Sequence, residues 1–222
     1  MVSTELVHTL ACVYSTGNFN SWDRLPFVTK STGAASTDVL PTRMTSNFVI
    51  SNYASTWPLD HDDGSCFYHD TRNFLVWAGA KNFLGQYKVS ADNVYVHVDA
   101  NGMSVCAVDD SPWSSKHLLS ATLDGVYPSN ADVYRNNTCI TATGVMYHYS
   151  RCDPKNIPDL TDLSSDNTFV SPSTPSFMCG DQNFTLSSYQ AAGYEKGSSH
   201  DSAMPTAEEI AKMGASLLGI QQ

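Results

Sequence analysis

Five short runs in this chain open on asparagine and continue with apolar or β-branched residues. They are Asn47-Phe48-Val49-Ile50, Asn73-Phe74-Leu75-Val76-Trp77, Asn93-Val94-Tyr95-Val96-His97, Asn136-Asn137-Thr138-Cys139-Ile140 and Asn167-Thr168-Phe169-Val170. The leading residues Asn47, Asn73, Asn93, Asn136 and Asn167 are separated by 26, 20, 43 and 31 residues. Self-similarity at such intervals is the mark of a stacked repeat, in which each rung buries its apolar face against its neighbours. The variable lengths fit loops inserted at the turns and do not fit a strict array. The interval of 43 holds two rungs, or one rung with a long loop.

Asparagine has a specific use in such a stack. A buried side-chain amide at a bend bonds to the rungs above and below it. Asparagine also tolerates the left-handed backbone that the bend requires. A simpler account is that asparagine ends the preceding turn and so starts many strands. The run from Asn93 to Asp99 alternates Val94, Val96 and Val98 with larger or polar residues, the period of a strand. The expected fold is therefore all-β, a right-handed parallel β-helix (a solenoid) with loop insertions. Aligned on their leading Asn, Lys81 lies under Asn101 and Asn82 under Gly102.

The C-terminal part has a different pattern. Residues 153–180 are rich in Pro, Ser, Asp and Thr and read as loop. Pro205 then opens a helix, with Thr206 and Glu209 spaced as a capping box. Ile210, Met213, Leu217 and Leu218 form an apolar stripe at helical spacing, and Gly219 stops it. An amphipathic helix here is expected to cap the last rung. The expected organisation is residues 1–46 as N-terminal rungs or a lead-in that starts partway through a larger architecture, 47–200 as the β-helix, and 201–222 as the capping helix.

Composition narrows the setting. The chain has 222 residues, enough for one domain with a large core or at most two. Eleven Tyr, nine Phe and four Trp, with abundant Ser, Thr and Asn, favour an all-β extracellular protein. A net charge of −10 argues against nucleic acid, which needs clustered Lys and Arg, and is compatible with a divalent cation or with neutral or cationic sugars. Six cysteines, none in C-x-x-C spacing, suit disulfides in an oxidising compartment, and Cys139 and Cys152 are close enough in sequence to bridge. Glycosylation sequons begin at Asn136 and Asn183. No apolar run is long enough to span a membrane, and residues 1–16 do not read as a signal peptide. The expected location is extracellular.

Taken with two further segments, the chain resembles the pectin-lyase-like parallel β-helix proteins over roughly residues 45–200. One segment is His61-Asp62-Asp63-Gly64-Ser65. The other is Tyr189-Gln190-Ala191-Ala192-Gly193-Tyr194-Glu195-Lys196-Gly197-Ser198-Ser199, similar to a run that follows the last rungs in carbohydrate-active members, with Glu195 where Asp is usual. The resemblance implies a polysaccharide or glycan partner and includes lyases, hydrolases, epimerases, tailspikes and adhesins. It does not fix an activity.

The segment Asp60-His61-Asp62-Asp63 is the candidate site. On a strand, Asp60 and Asp62 share one face and His61 and Asp63 the other. Two carboxylates on one face suit general acid and base roles in glycoside hydrolysis. Alternatively, Asp60, Asp62 and Asp63 suit Ca²⁺, which binds through carboxylate oxygens, with Lys81 or His61 removing a proton from a uronate. The third reading is an Asx-rich turn around Gly64. Lys81 and Asn82 sit in the next rung, where a salt bridge to the acids competes with a catalytic role. Trp57 and Trp77 suit sugar stacking or core packing. Asn82 and Asn101 complete the candidate binding set, and His69, Asp70 and Arg72 read as turn residues. The functional expectation is a secreted polysaccharide hydrolase or lyase. Its rival is a non-catalytic glycan-binding or structural β-helix module.

Overall fold

A computed structural model describes residues 19–22, 41–50, 58–62, 65–82, 88–98, 106–109, 132–149, 164–179 and 182–220. The described residues are mostly β, with parallel sheets and few helices. Sheet one contains β1 (Phe19–Trp22), β4 (Leu59–Asp62), β7 (Ala80–Asn82), β10 (Ala107–Asp109), β13 (Val145–Tyr149) and β16 (Ser176–Cys179), closed by the antiparallel β17 (Gln182–Thr185). Sheet two contains β2 (Thr42–Thr45), β5 (Tyr68–Thr71), β8 (Val89–Ala91), β11 (Val133–Arg135) and β14 (Ser164–Ser165). Sheet three contains β3 (Phe48–Ile50), β6 (Phe74–Val76), β9 (Val94–Val96), β12 (Thr138–Ile140), β15 (Thr168–Val170) and β18 (Ser199–Asp201). From β1 to β16 the chain visits the three sheets in rotation, so each sheet takes every third strand and the strands stack in layers.

The passage from sheet two to sheet three is the same in every layer. A residue with positive φ comes first: Ser46 at 58°, Arg72 at 57°, Asp92 at 58°, Asn136 at 52° and Asp166 at 56°. A ladder asparagine follows it. In the left-handed region a non-glycine residue costs roughly 1–2 kcal/mol, so a compensating interaction must hold each corner. The ladder supplies it. The Oδ1 of Asn73, Asn93, Asn137 and Asn167 accepts the backbone N–H of Asn47, Asn73, Asn93 and Asn137 at 3.0, 2.9, 3.0 and 2.8 Å. The Nδ2 groups of Asn73, Asn93, Asn137 and Asn167 donate to the carbonyls of Met44, Asp70, Ser90 and Tyr134.

Three sequence expectations change here, and one open alternative is decided. The ladder residue in the fourth run is Asn137, because Asn136 occupies the left-handed corner and is exposed. The long interval holds one layer, since Tyr95 of β9 pairs directly with Cys139 of β12. The stretch read as loop at 153–180 contains β14, β15 and β16; short polar strands there place Phe169 and Phe177 inward. Its residues 153–163 and 180 lie outside the described set. Cys139 bonds to Cys106, not to Cys152, because β12 lies in the same layer as β10, which Cys106 precedes. Cys66 is a buried thiol.

Inward positions of sheet three make the apolar half of the interior: Val49, Leu75, Tyr95, Cys139 and Phe169. One end is closed by α1 (Leu186–Ala191) and the residues after it. Tyr189 stacks between Phe177 at 4.9 Å and Tyr194 at 4.4 Å. Gly197, with φ 79°, takes the corner position, and Ser198 Oγ accepts the backbone N–H of Asn167 at 2.8 Å, ending the ladder.

The helix α2 (Ala207–Leu218) has the expected box: Thr206 Oγ1 accepts the N–H of Glu209, and Glu209 Oε2 accepts the N–H of Thr206 at 2.7 Å. It does not cap the stack. Ile210, Leu217 and Leu218 cover the outward residues Phe74, Val96, Ile140 and Val170 of sheet three. The reason is that sheet three is apolar on both faces and needs a cover, whereas α1 already closes the end. Gly214 allows the close approach, since a methyl group there would stand 2.8 Å from the Phe74 ring. Met213, a member of the same apolar stripe, is 38% exposed.

Glu195 lies buried beneath the last ladder asparagine. Its carboxylate accepts from Asn167 Nδ2 at 2.9 Å, from Ser198 Oγ at 2.6 Å and from the Ser164 hydroxyl. Burial pushes its pKa above the ordinary 4.5, and these hydrogen bonds only partly oppose the shift. A folded-state pKa above the unfolded one gives stability that is complete below pH 4.5 and lost as pH rises through the folded value. The thermal midpoint should therefore fall on going up from pH 4.5, and Glu195→Gln should flatten that fall. Identical pH profiles for the two proteins would show that Glu195 does not carry the effect.

Candidate functional site

The strand β4 separates the residues of the acidic segment. Leu59 and His61 point inward, and Asp60 points outward. On the outward side, register pairs Asp60 with Lys81 of β7, and the Lys81 ammonium lies 2.7 Å from Asp60 Oδ1. Both side chains are largely withdrawn from solvent, at 4% exposed for Asp60 and 12% for Lys81. In the strand register Lys81 is paired with Val108 of β10 on its other side; Asn101, its expected neighbour, lies outside the described residues.

On the inward side, His61 is held from two directions. Its Nε2 lies 2.6 Å from Asp70 Oδ2, and its Nδ1 lies 2.9 Å from Ser21 Oγ. The ring stacks on Tyr68 at 4.3 Å. Ser21 Oγ also meets Ser65 Oγ at 2.9 Å, and the Ser65 carbonyl accepts from Lys88 Nζ at 3.3 Å. Lys88 in turn pairs with Asp132 at 2.9 Å, both side chains 1% exposed. A continuous polar chain thus runs from Asp70 to Asp132 through the interior, beside the apolar half formed by sheet three. Asn82 is also inward, donating to the Tyr134 hydroxyl.

The candidate residues are therefore not brought to one place. Asp60 and Lys81 meet outside, while His61 and Asn82 lie inside. Only the backbone of Asp62 is described, opposite Trp22 in the register. Trp57 and Asp63 lie outside the described residues. Trp77 sits at the corner after β6, with φ 54°, and is 37% exposed. Asn136 and Asn183 are exposed, and Asn136 Nδ2 donates to Asp92 at 2.6 Å. Among the described residues no three His, Cys, Asp or Glu side chains gather to hold a metal ion. The Ca²⁺ expectation rests on a set that includes Asp63. No described helix is long and apolar enough to cross a membrane.

Sequence reasoning missed Ser21, Ser65, Asp70, Lys88 and Asp132. A signal for Asp70 was available: Asp70, Ser90 and Tyr134 all stand three residues before a ladder asparagine, which places them at one inward level. The pairing of Ser21 with His61 carried no such signal, because the two are 40 residues apart and β1 lies outside the asparagine repeat. Compared with family models, curated proteins and solved structures, the chain matches none of them.

Proposed function

We propose that the chain is a right-handed parallel β-helix of extracellular type that binds glycan without cleaving it. One observation carries this reading. The groups suited to acid–base chemistry are engaged with one another, Asp60 with Lys81 outside and His61 with Asp70 inside, on opposite faces of one strand. A substrate cannot meet a carboxylate and an imidazole that a strand separates in this way. The rotation of the chain through three parallel sheets supports the β-helix, and right-handedness is the rule for parallel crossovers. The disulfide is compatible with an oxidising compartment.

Trp77 supplies the recognition group, an exposed aromatic face at a fixed corner. Trp77→Ala is expected to weaken retention on a glycan panel by about tenfold. Wild type that retains no member of the panel would refute the reading.

A second reading is a polysaccharide hydrolase or lyase in which Asp60 and Lys81 act together; their 2.7 Å contact on the outward side of sheet one favours it. Turnover of a polysaccharide panel by wild type, lost in Asp60→Asn and assayed with and without chelator, decides between the two.

A further inference from the structure

The described cations fall into two groups. Lys81, Lys88 and Lys212 each pair with a carboxylate, and Arg72 donates to the carbonyl of Leu217. Arg43, Arg135 and Lys196 form no ion pair or side-chain hydrogen bond among the described residues. All three lie on the outward face of sheet two. Met44 and Tyr134 turn inward, so their neighbours Arg43 and Arg135 turn outward. Glu195 is buried, so Lys196, bridged to Ser165 beside β14, faces outward as well. The strand register sets His69 beside Arg43, half-buried. Burial first, then the charges of Arg43 and Arg135, hold the His69 pKa below its ordinary value, against a raising influence from Asp70. The two arginines therefore act on one common region.

With strands about 4.8 Å apart, Arg43 and Arg135 stand three layers apart, about 14 Å along the stack, and Lys196 two layers further, about 24 Å along the stack from Arg43. Among the described residues, the acids Asp92 and Asp166 sit at the corner beside this strip, where Asp92 accepts from Asn136 and Asp166 from Ser165. A chain carrying a net charge of −10 thus keeps its unpaired described cations on one side.

We propose that the outward face of sheet two binds an anionic polysaccharide, carboxylated or sulfated, extended along the stack. The proposal rests on the glycan-binding reading and names the class of glycan. It departs from what net charge alone suggests, since the overall charge favours neutral or cationic sugars while this face favours anions. The arginine fork matches carboxylate and sulfate oxygens in a bidentate fashion, and the three cations follow one another along the stack, where one extended linear polymer reaches each of them.

The test is affinity electrophoresis and calorimetry with polygalacturonate, dextran sulfate, neutral dextran and a short single-stranded DNA. Both polyanionic glycans should bind, more weakly as salt rises, and Arg43→Ala/Arg135→Ala should lose roughly tenfold or more in affinity. Both arginines are exposed, so the variant should keep the wild-type spectrum and melting point. Polyanion binding that the double variant leaves intact overturns the site. Binding of DNA as tight as that of the glycans, through the same arginines, overturns the ligand class. If neutral glycans bind through Trp77 while polyanions do not, this inference fails and the glycan-binding reading stands. If no glycan of any charge binds, both fail.

Discussion

Asn93→Ala should destabilise the protein by roughly 3–5 kcal/mol, because it strands several buried polar groups at once. The Asn93 side chain accepts the Asn73 backbone N–H at 2.9 Å and its Nδ2 at 3.1 Å, and donates to the Asp70 carbonyl at 2.7 Å. Alanine leaves the Asn73 N–H and the Asp70 carbonyl without those bonds, inside a region with little room for water. The left-handed corner at Asp92 also loses the interaction that offsets its cost. Asn47→Ala is the matched control. Asn47 is half-buried at the other end of the ladder, and Asn73 Oδ1 keeps the Asn47 backbone N–H at 3.0 Å. Its expected cost is about 1 kcal/mol. Urea unfolding of both variants measures the difference, and equal costs would show that the ladder does not hold the stack.

Lys88→Met should cost about 3–5 kcal/mol, for a different physical reason. It leaves the Asp132 carboxylate buried without its counter-charge, 2.9 Å from where the ammonium was. Asp132 also accepts the Lys88 backbone N–H at 2.8 Å, so replacing it with an apolar residue would strand that donor. Asn at 132 keeps an acceptor there and carries no charge. The double variant Lys88→Met/Asp132→Asn should therefore recover most of the loss. A double variant as unstable as Lys88→Met alone would mean that lost packing, not the uncompensated charge, sets the cost.

Much of the stack is legible from the sequence because the ladder is local chemistry. Each corner needs a left-handed residue followed by an amide, and that pair leaves a mark in every layer. The one-residue error at Asn136 arises because two adjacent asparagines satisfy both demands, and only the register distinguishes them. The position of α2 was not legible. Its amphipathic pattern predicts a buried face but not the surface it meets, and the outward apolar residues Phe74, Val96, Ile140 and Val170 are scattered over four layers. The acidic segment was legible as two faces but not as two separate pairs. The partner of His61 is Asp70, which reads in isolation as a turn residue. The pair of Lys88 with Asp132 crosses 44 residues of sequence and leaves no local trace.

The corners between sheets two and three always contain two residues: 46–47, 72–73, 92–93, 136–137 and 166–167. Between the other sheets the connections vary, from the three residues between β6 and β7 to the 23 between β10 and β11. Of the three passages between sheets, one edge is therefore fixed and two are free. An insertion at the fixed edge would push an amide out of line and break contacts in the layers on both sides of it. An insertion at either free edge changes only what hangs from that layer. Any variation in this architecture is steered towards the same two sides, so new loops can accumulate side by side while the spine that aligns them stays unchanged.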